Sequence, residues 1–93
     1  MFARRFLVSG LVQGVGYRIF AVGAAARIGV TGYVRNLGDG RVEVFAMGSA
    51  EHLELLRDEL RAGPRFASVA DVIEEPAVRD ERFAHDFQIA PDH

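Results

Sequence analysis

The chain contains no cysteine. That excludes a disulfide framework, a thiolate nucleophile and a zinc ribbon, and it fits a reducing compartment. Nor is there an excess of charge of one sign: 11 basic and 13 acidic side chains leave a formal net charge of -2. A chain so balanced has no basic field for general nucleic-acid binding and no polybasic segment for a membrane surface. A long apolar run is also missing. Met1 to Arg5 lead straight into a strand pattern, so neither a signal peptide nor a transmembrane helix is expected, and the expected location is the cytoplasm. His52, His85 and His93 lie far apart in sequence with no metal-ligand spacing among them, and no magnesium carboxylate set or serine nucleophile elbow is visible. The expectation is therefore a protein without metal or cofactor, acting without nucleic acid or membrane.

What is present suits a small globular domain. The 93 residues are 49% apolar, enough for one modest core and too apolar for a disordered tail, so one domain over residues 1–93 is expected. Residues Arg4 to Val12 alternate as a strand, and the spacing of Phe20, Ala24 and Ile28 predicts a helix over Ile19 to Ile28, capped by Gly29. In that helix Ala21, Ala25 and Ala26 favour close packing. Thr31 to Asn36 and Arg41 to Met47 form two strands joined by a turn at Leu37-Gly38-Asp39-Gly40. Ser49 caps a second helix with Glu51 in its first turn, Leu53, Leu56 and Leu60 as its apolar stripe, and Gly63-Pro64 as its stop. Ala67 to Glu74 is a fourth strand, with Val69 and Val72 expected on different faces; Pro76 to Glu81 is irregular, and His85 to Ile89 is a short fifth strand at the edge. This order predicts an α+β, ferredoxin-like sandwich: two helices on one face of a four- to five-stranded antiparallel sheet.

The most informative stretch joins the first strand to the first helix. Gly14 and Gly16 bracket Val15, and glycines at alternate positions allow a turn that aims successive N–H groups into one concavity. Arg18 follows, then the helix. Amide donors, a helix N-terminus and a guanidinium fork in that order suit a phosphate. The spacing fits neither the Walker A loop nor the dinucleotide fingerprint, and a glycine pair after a strand is commonly just a tight turn.

A second stretch gives the first its meaning. Gly10, Val12, Gln13, Gly14, Val15, Tyr17 and Arg18, together with Gly32, Tyr33, Val34, Arg35, Asn36, Gly40, Val42 and Gly48, closely resemble the two signatures of the acylphosphatase family, with every fixed position filled. The resemblance covers nearly the whole chain and implies the same fold, with the fifth strand included. Many relatives end in Phe, any residue, Ile, then a basic and an aromatic residue. Phe87 and Ile89 fit that ending and Ala90-Pro91-Asp92-His93 do not, a departure expected to leave the site untouched.

The resemblance implies hydrolysis of acyl phosphates to a carboxylate and inorganic phosphate. The residues suit that reaction. The leaving carboxylate has a conjugate acid of pKa about 4 and needs no general acid. The remaining tasks are to hold the phosphoryl group, offset its charge and place a water in line. The loop Gln13, Gly14, Val15, Gly16, Tyr17 and Arg18 is assigned the phosphate, Arg18 the charge and Asn36 the water. Gln13 is expected to brace the loop; Val15 and Tyr17 are expected to pack while lending amides. Arg35, next to Asn36 on a strand, is expected on the opposite face. Thr31 and Asp39 are assigned to the strand and the turn, and the acidic residues from Asp71 to Glu75 to a solvated edge.

The expected partners are a small acyl phosphate and, as product-like ligands, inorganic phosphate or sulfate; a monomer is expected. Two readings compete. Ferredoxin-like folds also bind RNA on the sheet face, but the RNA-reading aromatic pattern is absent. A non-catalytic phosphate- or anion-binding domain would keep the loop without needing Asn36. Such a domain can also serve inside a larger maturation enzyme, and a free-standing chain of this size favours the small hydrolase.

Overall fold

The computed structural model describes residues 1–93. Its elements are β1 (Phe2–Leu11), α1 (Tyr17–Ile28), β2 (Thr31–Asn36), β3 (Val42–Gly48), α2 (Ala50–Ala62), β4 (Ser68–Pro76), a 3₁₀ turn (Glu81–Phe83) and β5 (Phe87–Ile89). The five strands form one open sheet in the order β4-β1-β3-β2-β5. Four of them pair antiparallel as expected, but β5 runs parallel to β2, so the sheet is mixed. The reversal has a simple origin. The chain leaves β4 at one edge and crosses the sheet through residues 77–86, arriving at the other edge pointing the same way as β2. A connection of that length permits a parallel pairing that no hairpin could make.

Both helices cover one face. Phe6 and Val8 of β1, Val34 of β2, and Val42, Val44 and Ala46 of β3 meet Tyr17, Ala21, Ala24 and Ala25 of α1 and Leu53, Leu56 and Leu60 of α2 in one core. The stripe of α1 differs from the Phe20, Ala24, Ile28 expectation: Phe20 and Ile28 are only partly buried, Ala26 is exposed, and small alanines make the innermost contacts, letting the helix approach the sheet closely. In α2 the expected leucines are the buried ones, each worth roughly 1.5–3 kcal/mol of transfer. Ser49 Oγ accepts from the His52 amide at 3.1 Å, and Gly63 N–H returns to Glu59 O at the other end. Tyr17 then completes that C-terminus. Its hydroxyl donates to Leu60 O at 2.7 Å, satisfying a carbonyl that the ending helix leaves without an intrahelical partner. Burial pushes the Tyr17 phenol above its usual pKa.

One local irregularity resets the outer strand. Ser9 pairs with Asp71 but Gly10 pairs with Val69, so Ala70 is an extra residue opposite β1. The bulge puts Val69 and Val72 against the same core, where strict alternation over three residues predicted opposite faces. It also explains Gly10. Its φ is 118°, and a Cβ there would meet Ser68 O at 2.3 Å.

The other face of the sheet is only partly open. Residues 76–84 fold over it and pack Ala77, Phe83 and Ala84 on Tyr33, Ala3, Phe45 and Met47. Glu74 and Glu75 on the edge strand are ion-paired, with Arg4 and Arg57 and with Arg5, and so are not simply solvated. No helix is long and apolar enough to cross a membrane.

Candidate active site

The sheet order brings the two signature stretches together. β3 pairs antiparallel with both β1 and β2, so those two run parallel with their C-terminal ends on the same side of the molecule. Val42 pairs with Val8 on one flank and with Asn36 on the other. That sets Asn36 level with Val8, three residues before β1 ends at Leu11, on the side of the sheet where the Gly14–Arg18 loop follows. Asn36 shares the helix-facing parity of Val34, while Tyr33 and Arg35 face the other way, as alternation predicted.

Two side-chain hydrogen bonds lock the loops. Gln13 Nε2 donates to Leu37 O and to Arg41 O, both at 2.9 Å, tying the loop after β1 to the turn after β2. Gln13 is thus a brace. Within the loop, Gly14 and Gly16 have φ of 75° and 81°, in the left-handed region, and a Cβ at either would meet nothing within 4 Å. Here glycine serves backbone conformation alone, unlike Gly10.

Helix α1 begins at Tyr17, two residues before the expected start, so Arg18 lies in the first turn rather than at the end of the loop. Gly16 is the N-cap, no side chain caps the turn, and no acidic residue sits in it. The leading amides therefore face outward without a carboxylate. A cation at this end has the wrong sign for the helix dipole. The guanidinium and the helix end together make a small positive field that calls for an anion.

Tyr17, Gly14, Gly16, Arg18 and Asn36, closed by Ile89 of β5, line a hollow of about 170 Å³. That is below the range of sites for drug-sized ligands and suits a compact group. Asn36 Oδ1 is buried there with no hydrogen-bond partner from the chain. Leaving such an acceptor unmet costs about 1–3 kcal/mol. The Asn36 backbone is held separately, its carbonyl accepting from His93 N–H at 2.9 Å.

One neighbour was not foreseen. The C-terminal residues run along β2, with Ala90 N–H on Val34 O and Gly38 N–H on His93 O. This brings Asp92 Oδ1 to 3.3 Å from Arg18 Nη1. The departure from the family ending at Ala90–His93 therefore reaches the site, contrary to expectation. No sequence signal marked Asp92, which lies 74 positions from its partner. Both side chains are largely accessible, 40% for Arg18 and 63% for Asp92, so the pair is exchangeable and contributes little stability. Elsewhere Asp39 serves the turn, accepting from Arg41, while Thr31 Oγ1 is buried without a partner. No three acidic or histidine side chains converge into an array that could hold a metal ion.

The acylphosphatase family model matches residues 4–89. A curated acylphosphatase of Pasteurella multocida is 49% identical over 89 residues, covering 96% of this chain and 98% of the relative. The crystal structure of an acylphosphatase from Bacillus subtilis superposes with a TM-score of 0.90 at 33% identity, covering 97% of this chain and 99% of the other. The structure of an acylphosphatase from Coxiella burnetii does so with 0.89 at 34%, covering 96% and 92%.

Proposed function

The chain belongs to the acylphosphatase family, and on that premise we propose that it hydrolyses acyl phosphates without a metal, in the hollow between the Gly14–Arg18 loop and Asn36. The observation that carries this reading is the convergence on one small hollow of free helix-end amides, the Arg18 guanidinium and the unpartnered buried Asn36 Oδ1.

The phosphoryl oxygens take the amides of the loop and first turn, and Arg18 offsets their charge as the acyl oxygen departs. Asp92 yields its place on Arg18 to the substrate. Asn36 Oδ1 accepts an O–H of the attacking water and aims its oxygen at phosphorus, opposite the acyl leaving group. The new P–O bond forms as the bond to the acyl oxygen breaks, and the electron pair leaves with the carboxylate. Because that carboxylate is a weak base, no acid is required. The water's proton passes to a phosphoryl oxygen, giving inorganic phosphate.

The test is release of phosphate from a simple acyl phosphate by purified protein, once in chelator and once with magnesium. Equal rates are expected. A loss of more than about tenfold in chelator, equivalent to about 1.4 kcal/mol of barrier, overturns metal independence. Phosphate binding without any hydrolysis would replace the enzyme by an anion-binding domain.

A further inference from the structure

The largest hollow of the molecule, about 610 Å³, lies on the other face of the sheet and shares no lining residue with the phosphate hollow. We propose that it is a second ligand site, for a small aromatic carboxylate, held by Arg35 and Arg82 against an aromatic wall. The inference is independent of the hydrolytic reading.

The size falls in the range of small-molecule sites. One wall is aromatic: the Tyr33 ring stands 5.4 Å from that of Phe45 and 4.9 Å from that of Phe83. Facing it, Pro76, Ala77 and Val78 come from the segment that roofs the sheet. The charged members of the lining are Arg5, Arg35 and Arg82 against a single aspartate, Asp80, in a chain whose net charge is -2. Asp80 engages Arg82 through Nε and Nη2, at 2.7 Å for the Nη2 contact, and Glu43 and Glu75 pair with Arg5, so the donors left without a partner include the terminal nitrogens of Arg35 and Nη1 of Arg82.

The arginines are also oriented. Glu43, only 6% exposed, lies beneath the floor, where it accepts from Arg35 Nε and from the Tyr33 hydroxyl at 3.2 Å and stands 2.9 Å from Arg5 Nε. The carboxylate takes the Nε side of Arg35, which makes no other hydrogen bond, so its terminal nitrogens keep their donors. Arg35 Cζ sits 5.3 Å from the Tyr33 ring centroid, and Arg82 Cζ 5.5 Å from that of Phe83, so both guanidiniums lie beside the aromatic wall. A carboxylate pairs with a planar fork, and a flat apolar body attached to it fits the rings. Bare phosphate fits poorly, because the one helical start in the lining, the 3₁₀ turn at Glu81, is already capped by the Asp80 carboxylate, and the apolar walls would leave oxygens unpaired. A nucleic-acid strand is excluded from the sheet face by the roof of residues 76–84.

The experiment titrates the full chain with 2-naphthoate, 2-naphthamide and inorganic phosphate, followed by amide NMR shifts. Naphthoate is expected to saturate shifts at Tyr33, Phe45, Ala77 and Phe83 while Gly14 to Arg18 stay unmoved. The neutral amide should bind at least about tenfold more weakly, the loss of one charge-assisted contact. Arg35→Gln and Arg82→Gln should each weaken naphthoate by about fivefold or more and leave phosphate affinity unchanged. Arg82 is well exposed, so its variant tests the site even if Arg35→Gln disturbs Glu43. Shifts confined to Gly14–Arg18, equal binding of the amide, or no saturation by about 10 mM, beyond the weak end of specific affinities, would overturn the proposal.

Discussion

Arg35 and Asn36 are neighbours on one strand and open onto different hollows on its two sides. The larger hollow has three arginines, aromatic walls and more than three times the volume, yet it lacks what phosphoryl transfer needs. Its positive charge is tied to carboxylates, Glu43 for Arg5 and Arg35 and Asp80 for Arg82. The smaller hollow has one arginine, but that arginine stands at a helix N-terminus, beside two left-handed glycines and an unpartnered amide oxygen. Arg18 keeps only an exposed, exchangeable carboxylate partner, Asp92. The difference teaches that neither volume nor the number of cations marks a phosphoryl site. On the proposed reading, helix-end amides and a buried amide oxygen without an internal partner do.

The comparison breaks most easily at the arginines. Arg18→Ala should lower turnover by about 10² to 10³ or more, the usual cost of one charge-stabilising donor, and weaken phosphate inhibition. Arg35→Ala should leave turnover largely intact. If the two results were exchanged, the sites would be exchanged with them. Asn36→Ala should lower kcat by a factor comparable to Arg18→Ala while phosphate binds nearly as before, because its assigned partner is the water. Loss of phosphate binding with an intact melting curve would move Asn36 into the anion cradle.

Glu43→Ala sharpens the contrast from the other side. It strips Arg5 and Arg35 of their shared buried partner and should cost about 3 kcal/mol of stability. The low end applies because both guanidiniums reach solvent. Denaturant titration measures this, and kcat should be retained per folded molecule. A loss of turnover out of proportion to stability would show that the far hollow supports the chemistry.

Tyr17 belongs to the loop by sequence and to the core by its side chain. Tyr17→Phe leaves the backbone N–H in place but strands Leu60 O, so it should cost about 1–3 kcal/mol at neutral pH with little change in kcat. Burial raises the Tyr17 phenol in the folded state, so the protonated form is the one that folding favours. That contribution is fully present below the unfolded pKa of about 10 and is lost as pH rises above it. Above that pH the parent chain should lose stability faster than Tyr17→Phe. Some slope should remain, because burial, then Glu43, raises Tyr33 as well. Parallel curves would place the Tyr17 phenol outside the alkaline transition.

The smallest effect belongs to the tail. Asp92→Asn removes the competitor for Arg18 and should tighten phosphate inhibition by up to about fivefold, the scale of an exposed ion pair. Weaker inhibition would make Asp92 a support for Arg18 rather than a competitor.

The amino-acid sequence alone determined the features that depend on neighbours along the chain. The Ser49 cap, the Gly29 and Gly63 ends and the Asp39 turn are set by hydrogen bonds spanning a few residues, so local residue types specify them. The alternation that separates Arg35 from Asn36 is fixed by the strand period. The two gapped signatures, read as a resemblance, pointed to the fold and to Arg18 and Asn36 together. Tertiary structure alone decided what depends on closure over long separations. The parallel direction of β5 follows from where residues 77–86 deliver the chain. Ala70 is extruded as a bulge by the register of a partner strand about sixty positions away, which no pattern within β4 records. Asp92 reaches Arg18 only because β5 and the residues after it lie along β2, and Glu43 is buried where Arg5 from β1 and Tyr33 and Arg35 from β2 meet it across the sheet. Such contacts are chosen by packing and loop closure among distant segments, and these leave no period in the sequence.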